Sequence, residues 1–260
     1  MSAFESTIPM RPADVSDEEW RLRLQLAACY RLFDFLGWTE MIFNHITLRA
    51  PGGSADNPHY LINPFGLHYT EVTASNLVKI DRQGNKIDGS PYPVNPAGFV
   101  IHSAVHAARH DAHCVMHTHT TAGIAVACKE QGLRHDNFYS AQLHGGVAYH
   151  EFEGVTTDPA ECPRLVASLG DKQVMILRNH GLLVTGQDVP DAFQRLWTLQ
   201  RACEVQLAAD CLAGPTRPIA PAVLARIPDQ CKPVALGTQP GHMMFEGILR
   251  RAGIRYGDLV

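Results

Sequence analysis

Two histidines two residues apart, His117-Thr118-His119, close an apolar run that begins at Cys114. Side chains at i and i+2 of a strand leave the same face, so both imidazoles can reach one ion. Taken alone, the pair fits two strand-end hydrogen bonds equally well. His180 adds weight to the metal reading. It stands in Arg178-Asn179-His180-Gly181 between two short apolar runs, where a loop on a rigid sheet would hold its side chain in place. Three neutral imidazoles make a catalytic type of centre with open positions for substrate or water. Such a set suits zinc, iron, copper and nickel alike, so it does not select the metal. Cys114, three residues before His117, lies in the apolar run and reads as a small core residue.

Elements to position these residues are readable. Ser16-Asp17-Glu18-Glu19 is a capping box opening a helix from Trp20 to Leu36 that Gly37 ends. Strand-like runs follow at Ile42 to Leu48, Tyr60 to Ile62 and Val78 to Asp81, broken by Gly, Pro and Asn turns. Helical periodicity returns from Phe99 to Arg109, a strand runs from Cys114 to His119, and Ala122 to Lys129 resumes helix. Asp158-Pro159-Ala160-Glu161 opens a helix to about Leu169, and Val174 to Leu177 and Leu182 to Val184 read as two buried strands. Asp188 caps the longest helix, which continues to about Leu212, and a short helix near Phe245 to Arg251 follows a proline-punctuated stretch.

Composition narrows the function classes. The chain has 260 residues with 22 Lys+Arg, 26 Asp+Glu and a net charge of -4. This length buries a core without disulfide or structural-metal staples. No window is basic enough to attract nucleic acid, and no apolar run approaches the ~20 residues of a bilayer span. Seven scattered cysteines without a C-x-x-C pair read as reduced core residues. With no leader pattern at Met1-Ser2-Ala3-Phe4-Glu5, the expected location is cytoplasmic.

Five segments in order carry a resemblance: Phe43-Asn44-His45-Ile46-Thr47, Ile62-Asn63-Pro64-Phe65-Gly66, Asn95-Pro96-Ala97-Gly98 leading to His102, His117-Thr118-His119-Thr120, and Arg178-Asn179-His180-Gly181. From about Trp20 to Gly214 the chain resembles the class II aldolase/adducin family, the superfamily of fuculose-phosphate aldolase. The resemblance implies a single-domain α/β/α fold, a central mixed and largely antiparallel sheet flanked by helices. It also implies a cyclic homotetramer with sites between subunits, and His117, His119 and His180 as ligands of a divalent ion, zinc first, with Fe(II) or Mn as alternatives. Expected boundaries are an arm over 1–15, the domain over 16–214, and a tail over 215–260 packing on it.

The chain departs from the aldolases where they carry Ser-Ser-Glu, for here stand Pro96-Ala97-Gly98, and where their phosphate loop has Gly-Asn, for here stand Phe43-Asn44. Their acid/base glutamate and their phosphate-binding groups are missing. Three neutral imidazoles leave the ion's charge uncompensated, which favours an anionic chelating substrate. Among replacements for the base, His144 beside Gly145 and Gly146 is preferred over His45 and over His102 and His106. Family position makes His102 a packed helix residue, while His106, His110 and His113 are expected to be exposed or half-exposed. Asn44 is a candidate to orient substrate, and Tyr256 a candidate to close a neighbouring subunit's site. The expected function is metal-dependent cleavage or decarboxylation of a small non-phosphorylated hydroxy- or oxo-acid. Alternatives are an Fe(II)-dependent oxygenase on a phenolic or keto-acid substrate and a non-catalytic module like the adducin head.

Overall fold

A computed structural model describes residues 9–155, 158–231, 239 and 241–260; the side chains of Pro96 and Ala97 lie outside the described residues, as do positions 1–8 of the expected arm. Helix α1 (Asp17–Phe35) starts at Ser16, whose side chain accepts the Glu19 N–H. Strands β1 (His45–Gly53), β2 (Pro58–Ile62) and β3 (Val78–Ile80) follow, then α2 (Pro96–Ala108), β4 (Cys114–Thr118) and α3 (Thr121–Ala127). A five-residue helix α4 (Phe138–Gln142) and an edge strand β5 (Val147–His150) come next. The rest is α5 (Cys162–Leu169), β6 (Val174–Leu177), β7 (Gly181–Gly186), α6 (Val189–Asp210), α7 (Pro221–Leu224), α8 (Ile227–Cys231) and α9 (His242–Ala252).

The seven strands form one mixed sheet in the order β3-β2-β1-β4-β7-β6-β5. Every pairing is antiparallel except β5 with β6. Alternation along each strand gives the sheet two apolar faces. Ile46, Leu48, Met116, Ile176 and Val184 pack against Leu24, Tyr30 and Phe33 of α1, Val126 of α3, Phe193 and Leu199 of α6 and Phe245 of α9. Val115, Met175 and Leu183 point the other way, onto Ile101 and Val105 of α2 and Leu165 and Leu169 of α5. Helices therefore cover both faces, as expected. Each fully buried Leu or Phe contributes roughly 1.5–3 kcal/mol.

The chain's last residues belong to this core. Phe245, Leu249, Tyr256 and Leu259 join the cluster around α1 and α6, and the Leu259 carbonyl accepts the Ala74 N–H at 2.7 Å. Helix α6 is sheltered along most of its length, with Phe193, Leu196, Leu199 and Cys203 fully buried, while Leu207 and Leu212 near its end are exposed. Three of the seven cysteines, Cys29, Cys114 and Cys203, are core residues; Cys128, Cys211 and Cys231 are exposed, against expectation. Burial pushes the Cys114 thiol up, which suits an inert core residue. No described helix is long and apolar enough to cross a membrane.

Candidate metal centre

His117 sits at the end of β4 on the α2 side of the sheet, and His119 follows two residues later on the same side. Residues 178–180 form the three-residue loop of the β6–β7 hairpin, in which Asn179 takes the left-handed conformation (φ 56°) that asparagine tolerates. That turn lifts His180 over the end of β4. The three Nε2 atoms converge, His117 to His119 at 2.7 Å, His119 to His180 at 2.9 Å and His117 to His180 at 3.2 Å. Gly181 makes this approach feasible, because a Cβ there would lie 2.3 Å from the Thr118 carbonyl and 3.3 Å from the His117 ring.

Protonation follows from the partners. The His117 Nδ1–H donates to the Leu182 carbonyl at 2.8 Å, which leaves its Nε2 a bare lone pair. Burial pushes the His117 pKa well below the ordinary value, with the neighbouring His180 and His119 acting in the same direction. Burial lowers His119 likewise, and brings His180 down to about 4, assisted by His119. Three neutral imidazoles so close cannot all keep a hydrogen between them, and convergent lone pairs repel unless a cation lies among them. Ring nitrogens about 2.0–2.1 Å from one zinc in tetrahedral geometry stand about 3.3 Å apart, so a small outward movement of these rings would seat an ion. The residues fit a divalent ion.

The other expected site residues lie at varied distances from this cluster. Asn44 is fully buried and its amide is spent on backbone: Oδ1 accepts the His119 N–H at 2.9 Å and Nδ2 donates to the Trp38 carbonyl at 2.6 Å. It holds His119 in place and does not line the cavity. His144 is exposed, its ring 5.0 Å from that of His135, and it too is outside the cavity lining. Tyr256 is buried within its own chain, its hydroxyl donating to Glu246 at 3.1 Å, so it does not project toward a neighbour.

His45 is the histidine that reaches the cavity beside the triad. Its ring centroid lies 5.3 Å from that of His117 and 4.3 Å from that of His102. The ring occupies the space that a side chain at position 98 would take, for a Cβ on Gly98 would meet His45 Cε1 at 2.7 Å. A glycine in the first turn of a helix that opens with proline is a costly choice for helix stability, and that cost was the sequence signal for a close approach. The His45 ring and a side chain at position 98 therefore exclude one another. Burial brings His45 down to about 4, and its Nδ1–H donates to the Phe43 carbonyl at 3.2 Å.

Behind His45 runs a fixed chain of hydrogen bonds. The His106 Nδ1–H donates to the Ala112 carbonyl at 2.7 Å, so its Nε2 accepts the Thr47 hydroxyl at 2.7 Å, and the Thr47 oxygen accepts the His102 Nδ1–H at 2.8 Å. His102 is packed as expected. His106, expected at or near the surface, is instead buried with Tyr60 stacked on it at 4.4 Å, because Thr47 and Ala112 together satisfy both ring nitrogens. His110 and His113 are exposed. The chain ends at Nε2 of His102, a buried acceptor without a hydrogen-bond partner among the described residues.

The cavity in front of the triad has a volume of about 580 Å³. Phe43, Phe65, Ile101, Ile124 and Phe152 supply most of its wall, and Asn95 and Asn179 its remaining polar groups apart from the histidines. Among the described residues no lysine, arginine, aspartate or glutamate lines it. Phe152 was missed in the sequence because the strand before it, β5, is only four residues long and shows no pattern there.

A family profile described as Class II Aldolase and Adducin N-terminal domain matches residues 24–207, most of the chain. The chain belongs to the class II aldolase/adducin family. A Pseudomonas aeruginosa protein named provisionally as an aldolase class 2 protein is 50% identical over 209 residues, 80% of this chain and 79% of its own length. Mouse alpha-adducin is 46% identical over 74% of this chain, which matches only 26% of that adducin's length. The crystal structure of an aldolase II superfamily protein from Pseudomonas syringae superposes with a TM-score of 0.86 at 44% identity, covering 94% of this chain and 96% of the other. An L-fuculose 1-phosphate aldolase from Glaciozyma antarctica gives 0.77 at 30% identity, covering 97% and 99%.

Proposed function

We propose that this family member is a metal-dependent lyase of the class II aldolase type acting on a small, non-phosphorylated hydroxy- or oxo-acid by C–C cleavage or decarboxylation. The observation that carries the reading is the convergence of three neutral histidine nitrogens at the wall of a cavity that has no cationic side chain among its described residues. A cation held by the triad would attract the acid end of a substrate, whereas a phosphate at the substrate's other end would find no charged side chain among the described lining residues. His117, His119 and His180 would hold a divalent ion, zinc by preference, with Fe(II) or Mn as alternatives. Bound there, such an ion supplies Lewis-acid charge to the oxygens of a chelating hydroxy- or oxo-acid. The rest falls to the chain's own groups. Leu182 fixes the His117 tautomer, Asn44 holds the His119 backbone, and His45 presents its ring to the cavity in place of the missing carboxylate.

A cyclic homotetramer in the cytoplasm is part of this proposal, its assembly supported by the family relationship and by the exposed apolar groups Met41, Phe138 and Leu212. Turnover of hydroxy-acids assayed with the zinc-loaded chain tests the reading. Saturable cleavage or decarboxylation that is lost in His180→Ala without loss of folding is the expected result; absence of turnover across such acids counts against it. The identity with alpha-adducin favours a second reading, a domain kept for protein assembly, and that reading gains if metal binds without turnover.

A further inference from the structure

The cavity wall carries information about substrate that the triad does not. Its volume of about 580 Å³ falls in the range that encloses ligands of roughly drug size, so a three- or four-carbon acid would leave most of it unfilled. Three phenylalanine rings line it. Phe152 lies edge-on to His180 with ring centroids 6.3 Å apart, so an apolar wall begins immediately beside the proposed ligands. Phe43 and Phe152 are 51% and 52% exposed, an unfavourable placement for two large aromatic side chains unless something apolar covers them. Nothing charged among the described lining residues would engage the far end of a polar substrate.

We propose that the substrate is an aryl-bearing hydroxy- or oxo-acid, its ring lying among Phe43, Phe65 and Phe152 while its acid end faces His117, His119 and His180. The inference rests on the metal-centre reading for the acid end and on the wall alone for the ring. Aromatic rings pack edge-to-face or offset against one another, which suits a planar group better than a flexible chain in this setting. Phe43 approaches from the loop before β1 and Phe152 from the segment after β5, so the ring would be held from two separate parts of the chain.

The test uses the full chain loaded with Co(II) and three probes: lactate, mandelate and hexahydromandelate. Binding is followed by calorimetry, and chelation by the visible spectrum of the cobalt. Mandelate is expected to bind at least about tenfold tighter than lactate, with both perturbing the spectrum. Phe43→Ala and Phe152→Ala, each at a half-exposed position and checked for folding by melting, are expected to shrink that ratio severalfold. Equal affinity for lactate and mandelate overturns the proposal and leaves the metal centre standing. A ratio undiminished in both variants overturns it too, and hexahydromandelate binding tighter than mandelate overturns its aromatic part. A spectrum unmoved by every acid refutes the metal reading instead, and the calorimetric ratio then decides the ring alone.

Discussion

Replacing Gly98 by alanine should destabilise the protein, because the new methyl would sit 2.7 Å from Cε1 and 2.8 Å from both nitrogens of His45. His45 cannot swing aside freely, being 4% exposed, bonded to the Phe43 carbonyl and packed on His102. Overpacking of this kind costs about 1–3 kcal/mol. Position 98 is also in the first turn of α2, where alanine gains up to about 1 kcal/mol over glycine in helix propensity. The net expectation is a loss of about 1–2 kcal/mol in the native background. In a His45→Ala background the clash is gone and only the propensity remains, so the same substitution should stabilise by about 0.5–1 kcal/mol. The sign reverses, and the coupling between the two positions is about 2 kcal/mol. Urea unfolding followed by far-ultraviolet circular dichroism on the four proteins of the cycle measures it. An effect of Gly98→Ala that is the same in both backgrounds would refute the argument that the His45 ring fills the space a side chain at position 98 would need.

Thr47→Val keeps the side-chain shape but strips both His102 Nδ1 and His106 Nε2 of their partner. At about 1–3 kcal/mol for each of the two stranded groups, urea unfolding should show a loss of roughly 2–6 kcal/mol, with metal content unchanged because Thr47 is outside the triad. Stability should also fall as pH falls. Burial holds His106 down at about 3, so the folded state keeps it neutral while the unfolded chain takes up its proton near the ordinary value of about 6.5. The contribution is therefore complete above pH ~6.5 and is lost on acidification toward pH ~3, at about 1.4 kcal/mol per pH unit for this one group. His106→Gln should make the fall between pH 6.5 and 4 shallower by about one proton, and an unchanged slope would show that His106 is not kept neutral.

The helix starts at Ser16 and Asp188 were legible because a cap is a local interaction: each side chain accepts an N–H three residues on. The β6–β7 hairpin and the triad were legible for a related reason, since two short apolar runs around Arg178-Asn179-His180-Gly181 leave little choice of geometry. What the sequence hid depends on distant partners. β5 is four residues long and is defined by its parallel pairing with β6, and α4 is too short to show a period. The burial of His106 depends on Thr47, 59 positions away, and the employment of the Asn44 amide depends on His119, 75 positions away. An asparagine in a motif looks the same whether it faces a ligand or braces the backbone of a residue that does. His144 looked favourable beside two glycines, yet those glycines belong to the turn between α4 and β5, away from the cavity.

The central claim is that His117, His119 and His180 together hold one divalent ion. Elemental analysis of the chain purified without chelator, alongside His117→Ala, His119→Ala and His180→Ala, tests it most directly. The account predicts one tightly held divalent ion per chain in the native protein and a marked loss in each variant with folding retained. A native protein that holds substantially less than one ion per chain, or variants whose metal content equals that of the native protein, would contradict it.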